Sequence, residues 1–279
     1  MKRSLEHWMS AAMVMGVLVV CGSLPAQTVR DGFVEALPVF TSGPHTNKHA
    51  VYQHEKFVAW MDGKGVLWVQ PLDGGKPVGR AFSCHTVVPY YSAKGATWAR
   101  EMERFQEPSA PVVIPAKGGK LRIKGRVEGD IPFVAEYTFE GNAVKATGGC
   151  QDKPTTKPPS NFRLLTRFAA THRFAVDTPE EQVRVATEGM TLEVRPLSGS
   201  AVVYPYWKAI KTLYGPYSAM IVRGAFGPRV LTFKPTGKEG VLRGYIYENR
   251  APWQGFYVQY ITQGKKINLA ANEVVLIVE

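Results

Sequence analysis

The chain has 279 residues, of which 45% are hydrophobic and 20% are charged. This balance is typical of a globular protein and excludes a disordered tail. The formal net charge is +11 at pH 7, which favours anionic partners. The sequence contains no zinc-finger, helix-turn-helix or RNP pattern, so we expect no nucleic-acid partner.

The N-terminal residues have the pattern of a secretory signal peptide. Lys2 and Arg3 precede the uncharged, mostly apolar segment Met9–Val20, and Ala26 provides a small residue at a cleavage position. The apolar segment is shorter than the roughly 20 residues that span a bilayer, and no later segment approaches that length. We therefore predict a signal peptide over residues 1–26 and no transmembrane span in the mature chain.

Cys21 offers a second way to process this segment. The residues that end at Cys21 resemble a lipobox, in which the cysteine becomes a lipid anchor, although Val20 departs from the small residue that this motif requires. Cleavage after Ala26 would give a secreted or periplasmic protein, whereas modification of Cys21 would give an anchored lipoprotein. We prefer the first alternative.

Short strand patterns with a period of two residues dominate the mature chain. Glycine or proline separates nearly all of them, which favours a sandwich or barrel over βαβ units. The predicted strands are 56–61 and 66–70, which flank a turn containing glycine, and then 120–128, 133–139, 190–195, 219–223, 229–234, 241–247, 256–262 and 274–278.

One helix is predicted, over residues 96–106. Trp98, Met102 and Phe105 are spaced so that they could share one helical face. The polar, proline-rich residues 151–160 are predicted to form a surface loop or a linker. The expected fold class is all-β: a large antiparallel β-sandwich with many short strands and at most one or two short helices, in a single domain over residues 27–279.

Cys84 and Cys150 are the two cysteines left after the signal region. An even pair of cysteines in an oxidising compartment predicts a disulfide between them. Two buried free thiols are the alternative.

The long series of antiparallel strand patterns resembles the galactose mutarotase-like β-supersandwich. Tyr260 and the segment Leu269–Ile277 would supply its closing strand pair. The resemblance implies the fold of sugar epimerases and of domains in many glycosidases and polysaccharide lyases. The Asn-His-x-x-Phe segment of the epimerases is absent, so their catalysis is not carried over.

His85 and Glu136 are the candidate catalytic residues. His85 lies in a predicted strand before Tyr90 and Tyr91, where an imidazole could act as an acid or base near neutral pH. Glu136 lies on the polar face of strand 133–139, where it could supply one carboxylate of a glycosidase pair. We predict no metal site, because the histidines near residue 50 lie in a loop pattern without a tight ligand set, and no cofactor.

Aromatic and basic residues supply the candidate ligand-binding groups. Two aromatic-rich segments contain Trp and Tyr side chains suited to stacking on sugar rings: Trp207, Tyr214, Tyr245 and Trp253. Four cations alternate along strand 120–128, where they could follow a polyanion or protect an edge strand from mispairing: Lys120, Arg122, Lys124 and Arg126.

The sequence therefore predicts an exported β-sandwich protein associated with carbohydrate, with a glycan or an anionic envelope polymer as its partner. Two alternatives remain open. The protein could be a non-catalytic cell-envelope protein that docks through its basic face, or a carbohydrate-active enzyme that uses His85 or Glu136. Whether it is an enzyme is not decided by these residues.

Overall fold

The computed structural model describes residues 32–91, 97–106, 110–127, 131–150, 163–167, 178–205, 210–237, 240–246, 256–262 and 273–279. The predictions for the signal peptide, the Cys21 anchor, loop 151–160, Trp207 and Trp253 lie outside the described residues.

Strands form most of the described chain. The first ten are β1 (Phe33–Val34), β2 (Lys48–His54), β3 (Phe57–Asp62), β4 (Leu67–Asp73), β5 (Lys76–Pro77), β6 (Phe82–Tyr91), β7 (Thr97–Gln106), β8 (Val112–Ile114), β9 (Gly119–Val127) and β10 (Ile131–Glu140). Next come β11 (Ala143–Cys150), β12 (Arg163–Arg167), helix α1 (Glu180–Ala186), β13 (Thr191–Pro196), β14 (Val202–Pro205), β15 (Ile210–Tyr214) and β16 (Tyr217–Gly224). The last four are β17 (Gly227–Pro235), β18 (Gly240–Ile246), β19 (Phe256–Thr262) and β20 (Glu273–Val278).

These strands pair into two large sheets. The front sheet has the spatial order β8–β2–β3–β4–β6–β12–β19–β18–β15. The back sheet has the order β1–β7–β9–β10–β11–β20–β17–β16–β13–β14. Neighbouring strands are antiparallel except β2 and β8, and β7 joins the two sheets by pairing also with β6.

Alternating burial places the core between the sheets. On β9, Leu121 and Ile123 are buried while Lys120, Arg122 and Lys124 are exposed, as the sequence predicts. The largest fully buried side chains are Tyr52, Tyr137, Tyr260, Phe57, Phe82, Phe105, Phe133, Phe139 and Phe226. Burying one such side chain contributes about 1.5–3 kcal/mol. The predicted all-β sandwich is confirmed.

The predicted helix over residues 96–106 is wrong, because this segment is strand β7. Met102 and Phe105 are both buried although they lie three residues apart. A register shift between Met102 and Arg104 inserts an extra residue, so the alternation restarts and both side chains face the core. A bulged strand therefore reproduces the spacing of a helical face.

The helix that does form, α1, was not predicted. Its sequence carries the signals of a short helix, because Pro179 precedes Glu180 and Glu181 in the first turn and Arg184 lies in the last. Only Val183 of this helix is buried. Within the described ranges, no helix is long and apolar enough to cross a membrane.

The predicted disulfide between Cys84 and Cys150 is not found, because Cys84 is a free, buried thiol. Burial raises the pKa of this thiol to about 12. Cys84 lies two residues before Thr86, whose hydroxyl is 2.5 Å from that of Tyr137 on β10. Cys150 instead lies opposite Phe133, four residues, or about 13 Å, further along β10 from Tyr137.

The predicted closing strand pair is also wrong. Tyr260 lies on β19 in the front sheet, whereas Ile277 lies on β20 in the back sheet. Strand β20 pairs with β11 and β17, which are distant in sequence. The two C-terminal strands therefore lie inside different sheets rather than forming a hairpin with each other.

Candidate functional site

His85 lies on the outer surface of the front sheet. Phe82, Cys84 and Thr86 of β6 are buried in the core, so Ser83 and His85 point away from it. Ser83 pairs directly with Trp68 on β4, and Trp68 pairs directly with Trp60 on β3. We call the outer surface formed by Trp60, Trp68, Ser83 and His85 the front face.

The two tryptophans of the front face form a stacked pair. Their ring centroids are 6.3 Å apart and their planes differ by 10°. Trp68 Nε1 donates a hydrogen bond to Asp62 Oδ2 at 3.0 Å, and Lys48 Nζ lies 5.7 Å from the centroid of Trp60. Both rings are half-buried. The pair is therefore a fixed aromatic platform that solvent still reaches.

Trp60 and Trp68 were not predicted as binding residues, although the sequence contains a signal for them. Along β3, Phe57, Ala59 and Met61 form the apolar face, so Trp60 falls on the opposite face together with Asp62. An indole on the outer face of a strand is expected where a ligand or partner binds.

Polar groups continue the front face beside the indoles. His85 Nε2 and Ser83 Oγ are 3.0 Å apart, in hydrogen-bonding contact. Gln259 lies two strands from His85, about 10 Å away, and both Ser83 and Gln259 are 7% exposed. Together, Ser83, His85 and Gln259 supply hydroxyl, imidazole and amide groups that can donate or accept hydrogen bonds.

Backbone register places two predicted aromatic residues on the same sheet. Tyr245 lies in the register row that contains Ser83, and Tyr214 lies in the row that contains His85. Tyr245 lies three strands from β6, about 14 Å away, and Tyr214 lies four strands from β6, about 19 Å away. His85, Tyr214 and Tyr245 are thus brought to one sheet, as a shared ligand site requires.

Glu136 is not brought to His85. Thr86 and Tyr137 meet across the core, so their neighbours His85 and Glu136 point outward from opposite sheets. Packed sheets are about 10 Å apart, which excludes direct contact of one reacting bond with both groups. Glu136 instead forms an ion pair with Lys120, in which Lys120 Nζ lies 3.3 Å from Glu136 Oε1. His85 and Glu136 therefore do not converge on one surface.

The four predicted cations of β9 lie on the outer surface of the back sheet. We call Lys120, Arg122, Lys124 and Arg126 the basic stripe. Its N-terminal part, residues 119–124, pairs with β10 and with no second strand among the described residues, whereas Arg126 lies between β10 and β7. The edge-protection interpretation therefore fits only the first part of the stripe.

The loop predicted around the histidines near residue 50 is wrong in part, because His45 lies in a turn whereas His49 and His54 lie on strand β2. His49 is 1% exposed and its Nδ1 donates to the carbonyl oxygen of Pro38 at 2.7 Å. Burial lowers the pKa of His49 below 6.5, and the hydrogen bond to Pro38 opposes this in part. No group of three or more His, Cys, Asp or Glu side chains within the described ranges could hold a metal ion.

Acid is expected to destabilise the protein through His49. Because its pKa is lowered by folding, the unfolded state binds more protons, and the free energy of unfolding falls as the pH drops below 6.5. Each pKa unit of lowering corresponds to about 1.4 kcal/mol. The substitution His49→Asn keeps a donor near Pro38 but does not titrate, so urea unfolding between about pH 7 and pH 5 should show a smaller loss. His45→Asn, at a half-buried ring, is the control; equal pH slopes for wild type and His49→Asn would contradict this account.

Comparison with known proteins yields a likeness of fold alone. No protein-family model matches the sequence, and no curated protein matches it significantly. Among solved structures, a protein from Escherichia coli K12 described as a "putative aldose 1-epimerase" aligns with a TM-score of 0.46 and 9% sequence identity. The alignment covers 82% of this chain and 98% of that chain. Similarity at this level says nothing about activity or ligand.

Proposed function

We propose that this is an exported carbohydrate-binding protein whose ligand lies on the front face. The stacked pair of Trp60 and Trp68 carries the proposal, because it adjoins the hydroxyl and imidazole of Ser83 and His85. A sugar presents C–H groups on its ring face and hydroxyls at its edge. The front face offers a complementary arrangement of flat apolar rings beside polar groups.

The tryptophan platform is organised before a ligand arrives. Asp62 holds the Trp68 indole through its N–H, and direct cross-strand packing holds Trp60 parallel to it. Little side-chain conformational entropy of these rings is therefore lost when a ligand binds, which favours affinity. Neither ring belongs to the buried core, so their partial exposure serves a purpose other than packing between the sheets.

The polar side of the front face supports recognition of hydroxyl groups. Ser83 and His85 form one hydrogen-bonded unit, and Gln259 lies within the reach of a short oligosaccharide. Tyr214 and Tyr245 extend the same two rows of the sheet. An extended glycan, rather than a single monosaccharide, matches the length of these rows, which is about 14 Å to Tyr245 and about 19 Å to Tyr214.

Export is supported by the N-terminal sequence. Lys2 and Arg3 followed by an apolar segment and Ala26 are the signals on which this part of the proposal depends. A reporter fusion of residues 1–26 should be exported with cleavage after Ala26. The same fusion with Cys21→Ala, followed for export and for lipid attachment, separates this outcome from a lipid anchor. Export that does not depend on Cys21 supports cleavage after Ala26, whereas lipid attachment that is lost in Cys21→Ala indicates an anchor.

Replacing Trp68 with alanine is expected to weaken glycan binding by about tenfold or more, because one face of the platform is lost. Wild type and Trp68→Ala would be titrated with a panel of neutral oligosaccharides, using calorimetry and tryptophan fluorescence. Phe33→Ala is the matched control, since Phe33 is a half-buried aromatic residue on the back sheet.

The control should bind as wild type does, and ligand binding should change the indole emission of wild type. Absence of binding by wild type at millimolar concentrations of every neutral oligosaccharide would overturn the proposal. Equal losses in Trp68→Ala and Phe33→Ala would also contradict it, because they would indicate a general loss of structure.

A further inference from the structure

We infer that the outer surface of the back sheet binds a linear anionic polysaccharide along the basic stripe. This surface is separate from the front face, and the inference does not depend on the proposed function. The stripe runs along one strand, β9, whose alternate residues Leu121 and Ile123 anchor it in the core. The positions of its cations are therefore fixed by the fold.

The spacing of the stripe suits a repeating polyanion. Residues two apart on a strand are about 7 Å apart, so the cations form a regular row. The row is extended at one end by Arg104 of β7, which lies opposite Arg126. The Phe33 ring lies beside both guanidinium groups, with its centroid 5.9 Å from Arg104 Cζ and 5.0 Å from Arg126 Cζ. Contact with the ring orders these two side chains.

Charge at the centre of the stripe is offset only in part by the described neighbours. Arg122 and Lys124 are exposed, and neither forms an ion pair with any described residue. Lys120, at the end of the stripe, pairs with Glu136, but this exposed pair is worth little. On β10, Val134 lies opposite Lys124, so no carboxylate faces Lys124 there, whereas Glu136 lies opposite Arg122.

The surroundings favour a single chain over a flat anionic surface. Carboxylates lie near the stripe on the same surface. Glu136 and Glu140 on β10 pair with Lys120 and Lys145, and Glu273 lies on β20. A membrane of anionic lipids would approach these carboxylates as well as the cations and would be repelled by them. A linear polymer can follow β9 and avoid them.

The double substitution Arg122→Glu/Lys124→Glu tests the inference. Alginate, a linear polyuronate, is the probe, and binding is measured by calorimetry at low and at physiological salt. The matched control is Lys76→Glu/Arg80→Glu, which makes the same change in net charge at exposed positions near β5. We expect the stripe variant to bind alginate at least about tenfold more weakly, with weaker dependence on salt.

The control variant should bind alginate within about twofold of wild type, since net charge alone has a small effect at physiological salt. Equal weakening in both double variants, or no binding of alginate by wild type, would overturn the inference. Binding to anionic phospholipid vesicles without binding to alginate would overturn it in favour of a membrane surface. Neutral-oligosaccharide binding by the stripe variant, and alginate binding by Trp68→Ala, distinguish failure of this inference from failure of the proposed function.

Discussion

Replacing Gly125 with alanine is expected to destabilise the protein by at least about 3 kcal/mol, enough to unfold a marginal domain. A Cβ atom at this position would overlap the carbonyl oxygen of Arg104 and would lie 2.9 Å from two ring carbons of Phe133. Gly125 pairs with Phe105 on β7 and with Phe133 on β10. The clash therefore falls where β7 joins the back sheet.

Neither neighbour of Gly125 can move without loss. The Arg104 carbonyl is backbone in a paired strand, and the Phe133 ring is 1% exposed in the core. Relief of the clash would separate β7 from β9 and open the connection between the two sheets. Chemical denaturation of Gly125→Ala measures the effect. Gly63→Ala is the control, because its Cβ would meet neighbours at no less than 3.4 Å; a change of under about 1 kcal/mol for Gly125→Ala would contradict this account.

The same crossing strand shows where sequence reasoning fails. Period-2 alternation locates β9, β10 and β19 well, because each buries one face against a single core. Strand β7 leaves one sheet and enters the other through a bulge, so its buried residues no longer alternate. A pattern of neighbouring residues does not show that a strand changes the strand with which it pairs. The segment was predicted to be helical for that reason.

The candidate site residues could be predicted from the sequence only in part, for a related reason. The alternation placed Glu136 on an outer face correctly, yet it does not indicate which sheet a strand joins. The sequence therefore leaves open whether His85 and Glu136 share a surface, and the structure places them on opposite outer surfaces. Cross-strand neighbours such as Trp68 and Ser83 are 15 residues apart in the chain, and only sheet register brings them together. Turn chemistry, in contrast, is local, and the β3–β4 hairpin was predicted.

That hairpin also contains the residue through which we expect stability and binding to be linked. Asp62 Oδ1 accepts hydrogen bonds from the backbone N–H groups of Lys64 at 2.9 Å and Val66 at 3.0 Å, while Oδ2 accepts from Trp68 Nε1. Asp62→Ala should cost about 2–4 kcal/mol of unfolding free energy, because three donors lose a charged acceptor. Asp73→Ala, which removes an exposed ion pair with Arg229, should cost under about 1 kcal/mol.

Asp62→Asn separates the two roles of this carboxylate. The amide oxygen can still accept from Lys64 and Val66, so the turn should keep most of its stability. The amide nitrogen would face the Trp68 indole N–H, and two donors cannot form a hydrogen bond. We therefore expect Asp62→Asn to shift the indole emission and to weaken glycan binding by about tenfold, with an unfolding free energy near that of wild type. Unchanged affinity in Asp62→Asn with altered emission would show that the position of Trp68 does not govern binding, and the front-face proposal would then fail at its central step.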